Sequence, residues 1–242
     1  MKKCFMNGLN RAHLAFTEID LTLREFERYH DQMERYFVQE RARIDEEFNT
    51  FDPRKIDDTG HAIDYIDYLS DCYKELETSF PSNFRSSFLI QIISFIEYEL
   101  KKICNLHAEF TKSVFTLKDF RGNGEFDQMK VYLEKVANID FNTVDPEWET
   151  LQKIYKVRNR FVHQTGIVQE KDTEMKAILK SMQHISTKTE TEQKDSAGLE
   201  YSLILKKEFN KQLVQTATEF FRKLLFNNLS IPMNISDIFD HN

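Results

Sequence analysis

One stretch restricts the fold of this chain more than any other. In residues 11–49 the positions Ile19, Leu23, Phe26, His30, Met33, Phe37, Glu40 and Ile44 recur at alternating steps of four and three. Only a helix returns such positions to one face. The segment therefore predicts one helix of roughly 60 Å at 1.5 Å per residue, with His30 and Glu40 as polar interruptions of a coiled-coil-like seam. Two covers for that seam are open, a neighbouring helix of the same bundle or a second chain. The remaining sequence points the same way. Among 242 residues there are only 6 Gly and 4 Pro but 21 Phe, and 30% are charged. Few turn-formers and many amphipathic runs argue for an all-α protein.

A break follows over residues 51–60, F-D-P-R-K-I-D-D-T-G, where Asp-Pro and Thr-Gly mark turns. Ala62, Tyr65, Ile66, Leu69, Cys72, Tyr73 and Leu76 then predict a second helix, pairing with the first as an antiparallel hairpin. S-F-P-S-N, residues 79–83, predicts a further turn. The helix expected after it, to about residue 110, is the most apolar of the chain. Its stripe includes Phe88, Leu89, Ile92, Ile93, Ile96, Leu100 and Ile103, and its width places this helix at the centre. Residues 113–125 read as a connection ending in Gly-Asn-Gly. They are not a phosphate loop, because no G-K-S/T follows and no strand precedes them. Short helices are expected over 126–136 and 172–184. Residues 185–198 are polar and predict a mobile connection, 199–205 a short strand or irregular lead-in, and 208–228 a final helix. The last dozen residues read as a loosely packed tail. The chain reads as one all-α domain over 1–242, with 11–79 as a separable hairpin.

Residues 145–166, D-P-E-W-E-T-L-Q-K-I-Y-K-V-R-N-R-F-V-H-Q-T-G, carry the chemistry. Asp145 stands where a residue caps a helix, Pro146 at the first helical position, and Gly166 where helices stop. Leu151, Ile154, Tyr155, Phe161 and Val162 fall on one stripe, and Arg158 falls inside it. A charge on a buried face needs a partner. Asn159 and His163 are four apart and share a neighbouring face. From 151 to 166 there is no acidic residue, whereas Lys153, Lys156, Arg158 and Arg160 are cationic. In a chain of net charge −7, contact with RNA requires such a local patch, and Lys153, Lys156 and Arg160 are its expected contacts.

R-N-R-F-V-H, residues 158–163, resembles the signature of the HEPN superfamily (higher eukaryote and prokaryote nucleotide-binding domains). That signature is an Arg, commonly followed by Asn, with a His after four to six intervening residues. Arg158 and His163 have four residues between them, and Asn159 is the polar follower. The likeness is detailed over 148–166 and general over 82–229. It implies a HEPN-like up-down helical bundle with a long N-terminal hairpin and a core over 82–229. It also implies a metal-independent endoribonuclease, a toxin or antiviral defence effector, working as a cytoplasmic homodimer with an antitoxin or regulatory partner. Arg158, Asn159 and His163 would then be catalytic. An acidic residue on the preceding helix faces the Arg in several branches, and in S-F-I-E-Y-E-L that residue is Glu97, with Glu99 as the other candidate. Some members keep the fold without activity. The alternative is therefore a non-catalytic nucleotide-binding or protein-interaction module.

The chemistry suits these residue types. RNA carries its own nucleophile in the 2′-hydroxyl. An imidazole moves protons near neutrality, a guanidinium forks onto phosphate oxygens, and the Asn159 amide can orient His163 or bond the phosphate. Neither cofactor nor metal is called for. Arg158 and His163 are five apart, about 140° around an ideal helix, so they do not share a face. Either the helix unwinds near 161–164, or a second subunit completes the cleft, which predicts a C2 homodimer. Against catalysis, Arg158 could pair with Glu97 or Glu99 in the core, and His163 could be a helix-end residue favoured by the macrodipole. Cys4, Cys72 and Cys104 are odd in number without C-x-x-C, which suits a reducing compartment. No sustained apolar run marks a signal peptide or approaches the ~20 residues of a membrane span. The scattered histidines lack zinc-ligand spacing.

Overall fold

The computed structural model describes residues 2–53, 59–122, 124–189 and 199–228. Helix α1 runs from Lys2 to Thr50, about 74 Å at 1.5 Å per residue. It starts earlier than the seam alone predicts. Within the seam Leu23, His30, Phe37 and Ile44 are all buried, seven residues apart. His30 is tolerated because Phe84 and Phe88 flank its ring, with centroids 5.9 and 5.4 Å away, while Asp31 lies 3.4 Å from its Nδ1.

The cover for this seam comes from the same chain. Helix α2 spans Thr59–Lys74, a π-helical turn spans Glu75–Ser79, and helix α3 spans Phe80–Thr111. The turn expected at 79–83 does not exist. Ser79 and Phe80 keep right-handed helical backbones, and the Phe80 amide bonds to Glu75 O. The hydrogen-bond ladder thus slips by one residue just before Pro81, which has no N–H to give. A π-bulge accommodates the proline without ending the rod. Rod and α1 lie antiparallel: the Tyr65 hydroxyl donates to Glu47, Arg85 forks onto Glu34 at 2.6 and 2.7 Å, and Lys102 lies 3.7 Å from Glu18. The outer half of this hairpin has its own small core of Phe37, Ile44, Leu69 and Leu76. The inner half, with Ile19, Leu23 and the α3 stripe, belongs to the main core.

Around α3 stand α4 (Glu125–Lys135), α5 (Asp145–Gln164) and α7 (Lys207–Lys223). The α3 stripe from Phe88 to Cys104 is sealed against them, as its width requires. A short helix α6 (Thr173–Ser181) follows α5. The chain is mostly helical but not wholly so. Strands β1 (Ile167–Gln169), β2 (Ile185–Thr189) and β3 (Glu200–Leu205) form an antiparallel sheet ordered β1-β3-β2. Residues 185–189, expected to be mobile, are therefore ordered by pairing. Thr187 sits opposite Leu203 and Ile185 opposite Leu205, so the apolar face comes from β3. Strand preference depends more on such neighbours than on the residue itself. The rest of the expected mobile segment, 190–198, and the expected tail lie outside the described residues.

Candidate functional site

Helix α5 is positioned by its buried row Trp148, Leu151, Ile154 and Val157. Trp148 is fully buried, and its ring stacks on Phe126 of α4 at 4.9 Å and 20°. Phe126 in turn stacks on Tyr155 at 4.9 Å and 22°. This row is rotated from the predicted stripe, because Val162 is 43% exposed and Phe161 only half-buried. Arg158 therefore stands at the edge of the core rather than within it. Asp145 does not cap the helix. Val144 holds that position without a side-chain bond, and Asp145 lies in the first turn with its carboxylate 3.9 Å from Lys130, where the helix dipole still favours it. At the other end Thr165 and Gly166 adopt φ of 51° and 81°, and both amides bond to Arg160 O. Residues 161–164 remain helical, so the end does not unwind to bring His163 round to Arg158.

The structure brings Arg158 to one expected partner, Glu97, and to one that the sequence assigns to His163 or the phosphate instead, Asn159. Nη1 donates to Asn159 Oδ1 at 3.0 Å, and Nη2 lies 3.7 Å from Glu97 Oε2 and 3.5 Å from Ser94 Oγ. Glu97, not Glu99, faces Arg158; Glu99 is buried beside Lys102 at 3.4 Å. The Arg158 Nε is buried with no hydrogen-bond partner. Burial raises the Glu97 carboxyl above its ordinary value, although Arg158 pulls the other way. Tyr155 joins the cluster. Arg158 Cζ lies 5.9 Å from its ring centroid, and burial first, then the Glu97 charge, push its hydroxyl pKa up. The sequence alone puts Tyr155 in the apolar stripe. Its spacing of three from Arg158 and four from Asn159, like that of Ser94 from Glu97, was the available signal.

His163 is not part of this cluster. Its side chain is exposed at the last turn of α5 and makes no hydrogen bond within the described residues. The expected cationic patch is also rearranged. Lys156 Nζ lies 2.6 Å from Glu174, and Arg160 pairs with Asp172 and donates to Gln164 at 2.7 Å. Asp172 and Glu174 enter at the start of α6, where Asp172 also accepts from the Met175 amide at 2.9 Å. Lys153 faces another cleft, beside Phe209 and Gln212. The absence of acidic residues over 151–166 is thus offset by α6, which one helix's sequence cannot reveal.

Beside the Arg158 cluster opens a cleft of about 440 Å³, lined by Phe126, Asp127, Gln152, Tyr155 and Asn159, with Lys156 and Glu174 at its rim. Among the described residues no group of three or more His, Cys, Asp or Glu side chains could hold a metal ion, and no helix is long and apolar enough to cross a membrane. Compared with protein-family models, curated proteins and solved structures, the chain gives no match.

Proposed function

We propose that this chain is a metal-independent endoribonuclease of HEPN type, working as a symmetric homodimer in toxin or antiviral defence. The reading rests chiefly on the Glu97–Arg158–Asn159 cluster. A guanidinium held by a carboxylate from α3 and an amide from α5 is fixed in orientation before an anion arrives, which is how preorganised charge stabilises a developing one. On this reading the RNA 2′-oxygen attacks the adjacent phosphorus and gives its proton to one His163. The P–O5′ bond breaks, and the O5′ takes a proton from the His163 of the second subunit. The products are a 2′,3′-cyclic phosphate and a 5′-hydroxyl. Arg158 neutralises charge on the non-bridging oxygens, while Asn159 holds its fork.

A second reading has its own support. Lys156 and Arg160 are already paired, and His163 stands apart from Arg158. This favours a non-catalytic HEPN-like module that binds a nucleotide or a protein. Purified wild type, Arg158→Ala and His163→Ala, incubated with RNA in the presence of a chelator, separate the two. The nuclease reading expects cleavage to cyclic-phosphate ends by wild type, and a loss on the order of 10²–10⁴-fold in His163→Ala. Intact RNA with all three proteins overturns it.

A further inference from the structure

We propose that the cleft beside the Arg158 cluster is a nucleobase pocket that selects guanine. Its use in catalysis rests on the nuclease reading, but its binding chemistry does not. At about 440 Å³ it falls within the range of small-ligand clefts and is large enough for a base with part of its ribose. Tyr155 and Asn159 belong both to its wall and to the surroundings of Arg158. A phosphate at the guanidinium would therefore have its own base within reach of the cleft.

The lining suits a flat, neutral heterocycle better than an anion. Tyr155 supplies the aromatic part of the wall, and it cannot shift easily, because it stacks on Phe126, a 2% exposed ring clamped in turn against Trp148, 4.9 Å from each. The one cation, Lys156, is tied at the rim to Glu174 at 2.6 Å. Inside stand the Gln152 and Asn159 amides and the Asp127 carboxylate. Gln152 Nε2 donates to Asp127 Oδ1 over a long 3.4 Å, which among the described residues leaves most of the acceptor capacity of that carboxylate free. Guanine alone among the four bases offers two adjacent donors, N1–H and N2–H, on its pairing edge. A carboxylate accepts such a pair in bidentate fashion. Uracil offers one donor between two carbonyl oxygens, which would face the carboxylate unfavourably.

Titration calorimetry on the whole protein with 3′-GMP and 3′-UMP tests this. Wild type should bind 3′-GMP about tenfold or more tighter than 3′-UMP, the scale of one good bidentate pairing. Asp127→Asn should abolish that preference by weakening 3′-GMP and raising 3′-UMP affinity, because the repulsion of the uracil carbonyls is removed, and Arg158→Ala should weaken both nucleotides by the same factor. Equal affinity for the two nucleotides, or a guanine preference that survives Asp127→Asn, overturns the pocket. The two proposals fail separately. Guanine-selective binding with uncleaved RNA removes the nuclease and keeps the pocket; cleavage without base preference in binding does the reverse.

Discussion

Replacing Glu97 by Gln and Arg158 by Met, singly and together, measures how firmly two helices hold the guanidinium. The charged atoms lie 3.7 Å apart, and the side chains are 18% and 17% exposed. At an effective dielectric constant of about 20, the direct attraction is roughly 4 to 5 kcal/mol. The desolvation of each ion, the largest influence on the Glu97 carboxyl, falls in the single variants and cancels in the cycle, but water at these partly exposed side chains screens much of the attraction. The coupling that survives should be about 1–2 kcal/mol, above the 0–1 of exposed pairs and below the cost of breaking a sealed one. Urea denaturation of all four proteins at pH 7 closes the double-mutant cycle. The pH dependence has a definite sign. A carboxyl whose pKa is raised by folding contributes stability that is complete below the ordinary carboxylate range and is lost as pH rises through the raised value. Glu97→Gln should therefore gain stability relative to wild type between pH 3 and pH 7. Arg158→Met should lose it, because the ionised carboxylate is left buried without a cation opposite. A coupling near zero at pH 7, or one equally large in acid, refutes the claim that this pair orients the site.

Four further outcomes follow from the geometry. Phe126→Ala removes a 2% exposed ring sandwiched between Trp148 and Tyr155 and should cost about 3–5 kcal/mol; a thermal midpoint unchanged from wild type would contradict the packing. Gly166→Ala puts a Cβ 2.7 Å from the Phe161 ring at φ +81° and should cost more than about 1 kcal/mol. Thr165→Gly, at φ 51°, should cost nothing or stabilise slightly in the same denaturation assay. Burial pushes the Cys104 thiol up to about 12, so iodoacetamide at pH 8 should label the partly exposed Cys72 well before Cys104. Equal labelling rates by peptide mass spectrometry would show that the α3 stripe opens readily.

Much of the architecture was legible because it depends on local periodicity. The seam of α1 and the wide apolar stripe of α3 follow from the 3.6-residue repeat, and the limits of α5 from Pro146 and Gly166, all properties of one segment alone. The meeting of Arg158 with Glu97 was half legible. The need for a partner follows from a charge near the core, but the choice between Glu97 and Glu99 depended on how α3 is rotated against α5. Other features depend on residues far apart in sequence. Pro81 reads as a break, yet a π-turn and a long packed partner keep the rod intact. Ile185–Thr189 reads as a loop, yet β3 supplies its ladder. Arg85 holds Glu34 and the Leu205 carbonyl together across 51 and 120 residues. The positive charge written into α5 was fixed by its sequence, but its neutralisation by Asp172 and Glu174 was decided only when α6 folded against it. Periodicity and residue type are local quantities and survive in a one-dimensional string. Which charge meets which, and which break is bridged, are set by packing energies between segments that the string does not place side by side.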